Sequence, residues 1–85
     1  MARHLTHDRV SNPADALSYL TDCTLATVED LAGRSRPPKG ELKRQIEIAQ
    51  KSIDWMIQFG IEPSGRGARV IAHGGNVANW VASRQ

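Results

Sequence analysis

Between residues 41 and 59, apolar side chains occupy more of the helical wheel than a single core can use. At about 100° per residue, Leu42, Ile46, Ala49, Ile53, Met56 and Ile57 fall on one stripe. Ile48, Trp55 and Phe59 fall on a second, roughly 120° from the centre of the first. Together they span roughly 200°, where a helix resting on one core needs about 100°. Lys43, Arg44, Glu47, Lys51 and Asp54 crowd into the remainder. A helix of this kind needs two partners. The pattern predicts that part of the second stripe is covered by another protein chain.

Upstream, the spacing predicts one long helix over residues 13–32. Leu17, Leu20, Thr24, Val28 and Leu31 repeat at helical intervals, and Leu25, with Ala14, Thr21 and Ala32, widens the stripe. Asn12 is placed to cap this helix, Pro13 suits its first position, and Asp15 favours the free N–H groups of the first turn. Gly33 is the expected left-handed C-cap. Tyr19 and Cys23 lie off the main stripe, as a partner contact or as half-buried positions. The connection over 33–37 is short enough only to reverse the chain, which predicts an antiparallel helical hairpin. Pro38 fits the first turn of the second helix, and Gly40 weakens that turn by up to about 1 kcal/mol relative to alanine. Gly60 ends the helix, and Ile61 falls where a Schellman cap sets a hydrophobic residue near Met56. The expected hairpin core is Leu20, Val28, Leu31, Leu42, Ile46, Ala49 and Ile53.

The remaining segments divide by composition. Residues 1–12 read as a polar tail. Residues 62–85 read as a glycine-rich loop followed by a short C-terminal helix. Within that tail, Arg69 to His73 fits either a short strand or a helical turn. Gly74 and Gly75 break it, Asn76 can cap the last helix, and Val77, Trp80 and Val81 share one face. Trp80 offers the best cover from within the chain for the second stripe. It joins Ile48, Trp55 and Phe59 as the apolar set expected at a dimer or partner interface. The fold class is therefore all-α: an antiparallel two-helix hairpin with a short strand-or-helix appendage, dimeric.

Composition narrows the classes. At 85 residues the chain is one small domain, whose core is marginal without staples or oligomerisation. A single cysteine excludes an internal disulfide and fits a reducing cytoplasm. The start, MARHLTHDRV, lacks the apolar stretch of a secretory signal, and no run approaches the roughly 18 apolar residues of a membrane span. The net charge of +2 names no partner, but its distribution is uneven. Asp15, Asp22, Glu29 and Asp30 make the first helix acidic, whereas Arg34, Arg36, Lys39, Lys43 and Arg44 form a basic cluster where the two helices meet. That cluster is a candidate docking patch for an acidic protein or for nucleic acid.

Candidate chemistry is sparse. His4 and His7, beside Asp8, have a spacing that can share a metal, but no third ligand stands near them. The expectation is no metal and no cofactor. Gly65-Arg66-Gly67-Ala68-Arg69 resembles basic glycine-rich RNA-binding segments, but in one copy without aromatic interleaving it reads as a flexible linker. His73-Gly74-Gly75 matches an oxyanion loop only in letters, with no G-x-S-x-G elbow beside it. No nucleophile and base stand out as a pair, so an enzyme is not expected.

Residues 27–46 bear comparison with helix-turn-helix DNA readers. TVEDLA resembles their first helix, Leu42 sits where a recognition helix buries an aliphatic, and Lys39, Lys43 and Arg44 are placed to meet phosphates. Arg36 at the turn, the prolines after it, and Gln45 at an apolar position depart from the motif. The segments NPADALSYLTDCTLATVEDLA (12–32) and RPPKGELKRQIEIAQKSIDWM (36–56) resemble small helical-hairpin proteins encoded by temperate phages of proteobacteria, of the quorum-sensing anti-activator type. That resemblance implies a dimeric hairpin that binds and inhibits host proteins, with no cofactor and no catalytic residue. The expectation is a cytoplasmic, non-enzymatic interaction protein. It pairs with itself and binds a larger protein, such as a host regulator, as an inhibitor. The alternative is a small DNA-binding regulator that uses the basic cluster.

Overall fold

In the computed structural model, residues 13–84 are described. They form four helices and no strand: α1, Pro13–Ala32; α2, Glu41–Gln58; α3, Gly65–Ala72; and α4, Val77–Ser83. The proposed cap Asn12 and the His4/His7/Asp8 group lie outside the described residues.

The two long helices pack along each other, α3 lies on α1, and α4 touches both α2 and α1. The described chain is 38 × 27 × 18 Å. Its least dimension matches two stacked helix layers, whose axes sit about 8–10 Å apart.

α1 buries Ser18, Thr21, Leu25, Val28 and Leu31, a line of helical period. Its threonines fit a helix interior because each hydroxyl donates back one turn: Thr21 to the Leu17 carbonyl, Thr24 to Leu20 and Thr27 to Cys23. Gly33 is not the left-handed cap that its position suggests. Its φ is not positive, and its N–H still donates to the Glu29 carbonyl, so the helical pattern runs on into a tighter bond from Arg34 N–H to the Leu31 carbonyl. The left-handed glycine of this connection is Gly40, at φ 78°, which is the N-cap of α2 and lies outside its first turn. α2 ends as its sequence predicts. Gly60 is left-handed, its N–H donates to the Ile57 carbonyl, and Ile61 N–H donates to the Met56 carbonyl at 2.8 Å. Those are the two bonds of a Schellman cap.

The core draws on all four helices: Leu25 and Val28 from α1, Ala49 and Ile53 from α2, Val70 from α3, and Val77, Trp80 and Val81 from α4. Of the expected hairpin core, Val28, Leu31, Ala49 and Ile53 are buried, while Leu42 and Ile46 are half-buried against the cluster. Leu20 is a correction, because it is 59% exposed. The cause lies in the tail. α3 settles against the Ser18 and Thr21 side of α1, which turns the buried line away from Leu20. The tail is also more than an appendage and a loop. The glycine-rich run starts a helix, and the two short helices supply half of the central cluster.

Candidate interaction surfaces

Three features of the surface invite a functional reading: the outer face of α2, the basic connection between α1 and α2, and a charged clamp that holds the short helices down.

On α2, Ile48, Trp55 and Phe59 are 42%, 59% and 66% exposed. They lie seven and four residues apart on one face, as the periodicity predicts. Large aromatic surface exposed on a single helix face makes it a candidate contact surface. Trp80 does not belong with them. At 3% exposed it is a core residue of α4, and the Arg84 guanidinium sits over its ring, 5.1 Å from the centroid. The α2 stripe therefore gains no cover from it. Tyr19 and Ile57 add further exposed apolar surface, and Cys23 is exposed.

Arg34, Arg36, Lys39, Lys43 and Arg44 are all exposed, at the connection and in the first turn of α2. Arg34 spends its charge on Asp30, at 2.8 Å, and Arg44 lies 3.8 Å from Glu41. Both pairs are surface contacts of small energetic weight. Arg36, Lys39 and Lys43 form no ion pair among the described residues. The connection itself, residues 33–40, is about twice the three to four residues of a helix-turn-helix corner, and the helices on either side are 20 and 18 residues long.

The clamp joins residues at least 37 positions apart and has no local sequence signature. Arg66, in the first turn of α3, donates its Nε–H to Glu29 and reaches both Asp22 oxygens at 3.3 Å. Arg84, just past α4, reaches the other Glu29 oxygen at 2.8 Å. One α1 carboxylate thus ties down both short helices. The Glu29 hydrogen bond, partly opposed by desolvation and aided by Asp22, holds the Arg66 guanidinium above its ordinary value. These carboxylates are committed to arginines, and no group of three metal-ligating side chains occurs among the described residues.

Each short helix is capped by a side chain from a long one. The Ser18 hydroxyl accepts Ser64 N–H at 3.2 Å, and Asp22 accepts Arg66 N–H at 2.9 Å, filling the free donors at the start of α3. Gln50 of α2 accepts Val77 N–H at 2.8 Å and donates to the Gly75 carbonyl at 2.9 Å. Asn76 does cap α4 as expected, accepting Asn79 N–H at 2.9 Å. The glycines allow this closeness. A Cβ on Gly65 would stand 2.7 Å from Asp22 Oδ1, and one on Gly67 would meet Pro63, Thr21 and Ile53 within 4 Å. The GRGAR run is therefore a packing device and not a flexible linker. His73-Gly74-Gly75 likewise has a local use: Gly74 N–H to the Ile71 carbonyl and Gly75 N–H to the Val70 carbonyl stop α3 as a second Schellman cap.

Comparison with family models, curated proteins and solved structures returns no match. The reading of these surfaces rests on their chemistry. No described helix is long and apolar enough to cross a membrane.

Proposed function

We propose that this protein is a non-enzymatic interaction module. In this reading α1 and α2 form an antiparallel hairpin, two copies associate through the outer face of α2, and the basic end formed by Arg34, Arg36, Lys39, Lys43 and Arg44 docks on an acidic region of a larger protein. The observation that carries it is the exposure of Ile48, Trp55 and Phe59 on one face of a helix whose other face is already committed to the core. The resemblance of the sequences 12–32 and 36–56 to phage-encoded anti-activators supports reading the larger partner as a host regulatory protein held inactive in the complex, in the cytoplasm. The DNA-binding reading rests on the same basic cluster, and on Arg36, Lys39 and Lys43 having no carboxylate partner among the described residues.

Light scattering at micromolar concentration tests the self-association, with a dimer mass expected. Trp55→Asp should return it to a monomer, because a charge without a partner in a closed apolar contact costs several kcal/mol. A monomer mass for the wild type overturns the reading. Titration with duplex DNA at low salt separates the alternative. Phosphate contacts would give a shift that weakens steeply with salt, and none is expected.

A further inference from the structure

We propose that two copies pair antiparallel along α2, in the register that sets Trp55 over Ser52 of the partner subunit and Phe59 over Ile48 of the partner subunit. This rests on the self-association proposed above and gives it a geometry. Ile48, Ser52, Trp55 and Phe59 follow one another at intervals of four, three and four, the seam spacing of a coiled coil. One flank of that seam is already used, since Ala49 and Met56 are buried and Leu42 is half-buried in the chain's own core. The free flank carries Arg44, Lys51 and Gln58.

The occupant is chosen by fit. In an antiparallel pair each seam residue meets one from the opposite half of the partner helix. With the two-fold axis between residues 53 and 54, the largest side chain lies on the smallest, Trp55 on Ser52, and Phe59 lies on Ile48. Lys51 then comes beside Asp54 and Gln58 of the partner subunit, an attractive neighbourhood. Of the two antiparallel registers one heptad away, one would lay Trp55 on Gln45 and Phe59 on Glu41, burying a carboxylate against a phenyl ring. The other would lay Trp55 on Phe59 but set the axis at residue 57, one residue from the end of α2, and leave Ile48 uncovered. A parallel pair would stack Glu41 on Glu41 and Trp55 on Trp55. Trp55, Phe59 and Ile48 are each two-fifths to two-thirds exposed, and an aromatic side chain buries about 150–250 Å² when covered. That is a fitting centre for an interface of about 800 Å² per partner whose rim is polar.

Dipolar EPR on the whole protein reads the register. Glu47→Cys, Lys51→Cys and Asp54→Cys, each in a Cys23→Ser background, place a nitroxide at exposed positions of α2. Light scattering first confirms the mass of each labelled protein. In the proposed register the axial offset between the two labels grows by about 3 Å per residue away from the axis, twice the helical rise. The label separation should therefore be shortest at 54, longer at 51 and longest at 47, with an axial offset of only about 1.5 Å at 54. An offset of about 9 Å there would put the axis at residue 57 and overturn the register. Equal axial offsets at all three sites would mean parallel pairing and would overturn the geometry while leaving self-association standing. A minimum at 51 would place the axis one half-heptad earlier and overturn the register. A monomer mass for the unlabelled wild type would remove the self-association itself.

Discussion

At the scale of single residues, two glycines at left-handed φ separate conformational cost from steric cost. Gly60, at φ 66°, has open space where a Cβ would stand, whereas Gly65, at φ 57°, has Asp22 Oδ1 at 2.7 Å. Gly60→Ala should cost about 1–2 kcal/mol, the penalty of the left-handed region for an L-residue. Gly65→Ala should cost more, because it adds a clash with the carboxylate that caps α3. Urea unfolding of the two variants side by side checks the order, and a smaller loss at Gly65 would show that the Asp22 carboxylate swings aside at little cost. Gln50 makes a comparable test of a polar residue. Gln50→Ala leaves Val77 N–H and the Gly75 carbonyl without their partner, and a buried group left unsatisfied costs about 1–3 kcal/mol. Neither Gln50 nor Asp22 is legible from sequence. Each sits at an unremarkable polar position of its own helix, and its work is done on an element more than twenty residues away, which local periodicity does not encode.

Elements show where such reading succeeds. Pro13, Gly60 and Ile61 act as their positions predict, whereas Gly33 does not take the left-handed cap and Pro38 lies before the first turn of α2, which starts at Glu41 behind the left-handed Gly40. The α2 wheel separates the buried Ala49, Ile53 and Met56 from the exposed Ile48, Trp55 and Phe59, but it also sets Ile57 on the core stripe, and that is a correction, because Ile57 lies at the stripe's edge and is 54% exposed. The remaining failures share a cause. α3 is disguised by Gly65 and Gly67, which read as a linker until the approach of α1 gives them a reason. Because the pattern does not reveal the whole of α3, the main stripe of α1 runs through Leu20, with Thr21 only widening it and Ser18 left out. The core substitutions follow from the observed packing. Ile53→Ala should cost about 2–5 kcal/mol, as for a fully buried aliphatic. Ile46→Ala should cost less, since Ile46 is only half-buried, and Leu20→Ala should stay within about 0.5 kcal/mol, as for an exposed position. Thermal melts of the three variants check the ranking, and an Ile53 loss no larger than that of Leu20 would mean that α2 is not seated on the core as described.

For the whole molecule, charge and apolar surface are segregated, and the segregation yields a test of what the basic end does. The acids Asp22 and Glu29 are consumed internally by Arg66 and Arg84. Arg34, Arg36, Lys39, Lys43 and Arg44 project at the connection, well apart in sequence from Trp55 and Phe59. Reversing Arg34 and Arg36 to glutamate removes one exposed ion pair, Arg34 to Asp30. Pairs of that kind contribute about 0–1 kcal/mol, so the fold and the self-association should survive, as circular dichroism and light scattering would report. Binding to an acidic protein partner should weaken mainly through slower association, and the loss should shrink as salt is raised, because charges at a rim steer encounter more than they hold the complex. If the cluster instead contacted phosphate, the reversal would abolish a duplex shift and flatten its salt slope. Partner binding unchanged in rate and in salt dependence would show that Arg34 and Arg36 are solvated surface, and would move the reading to the outer face of α2.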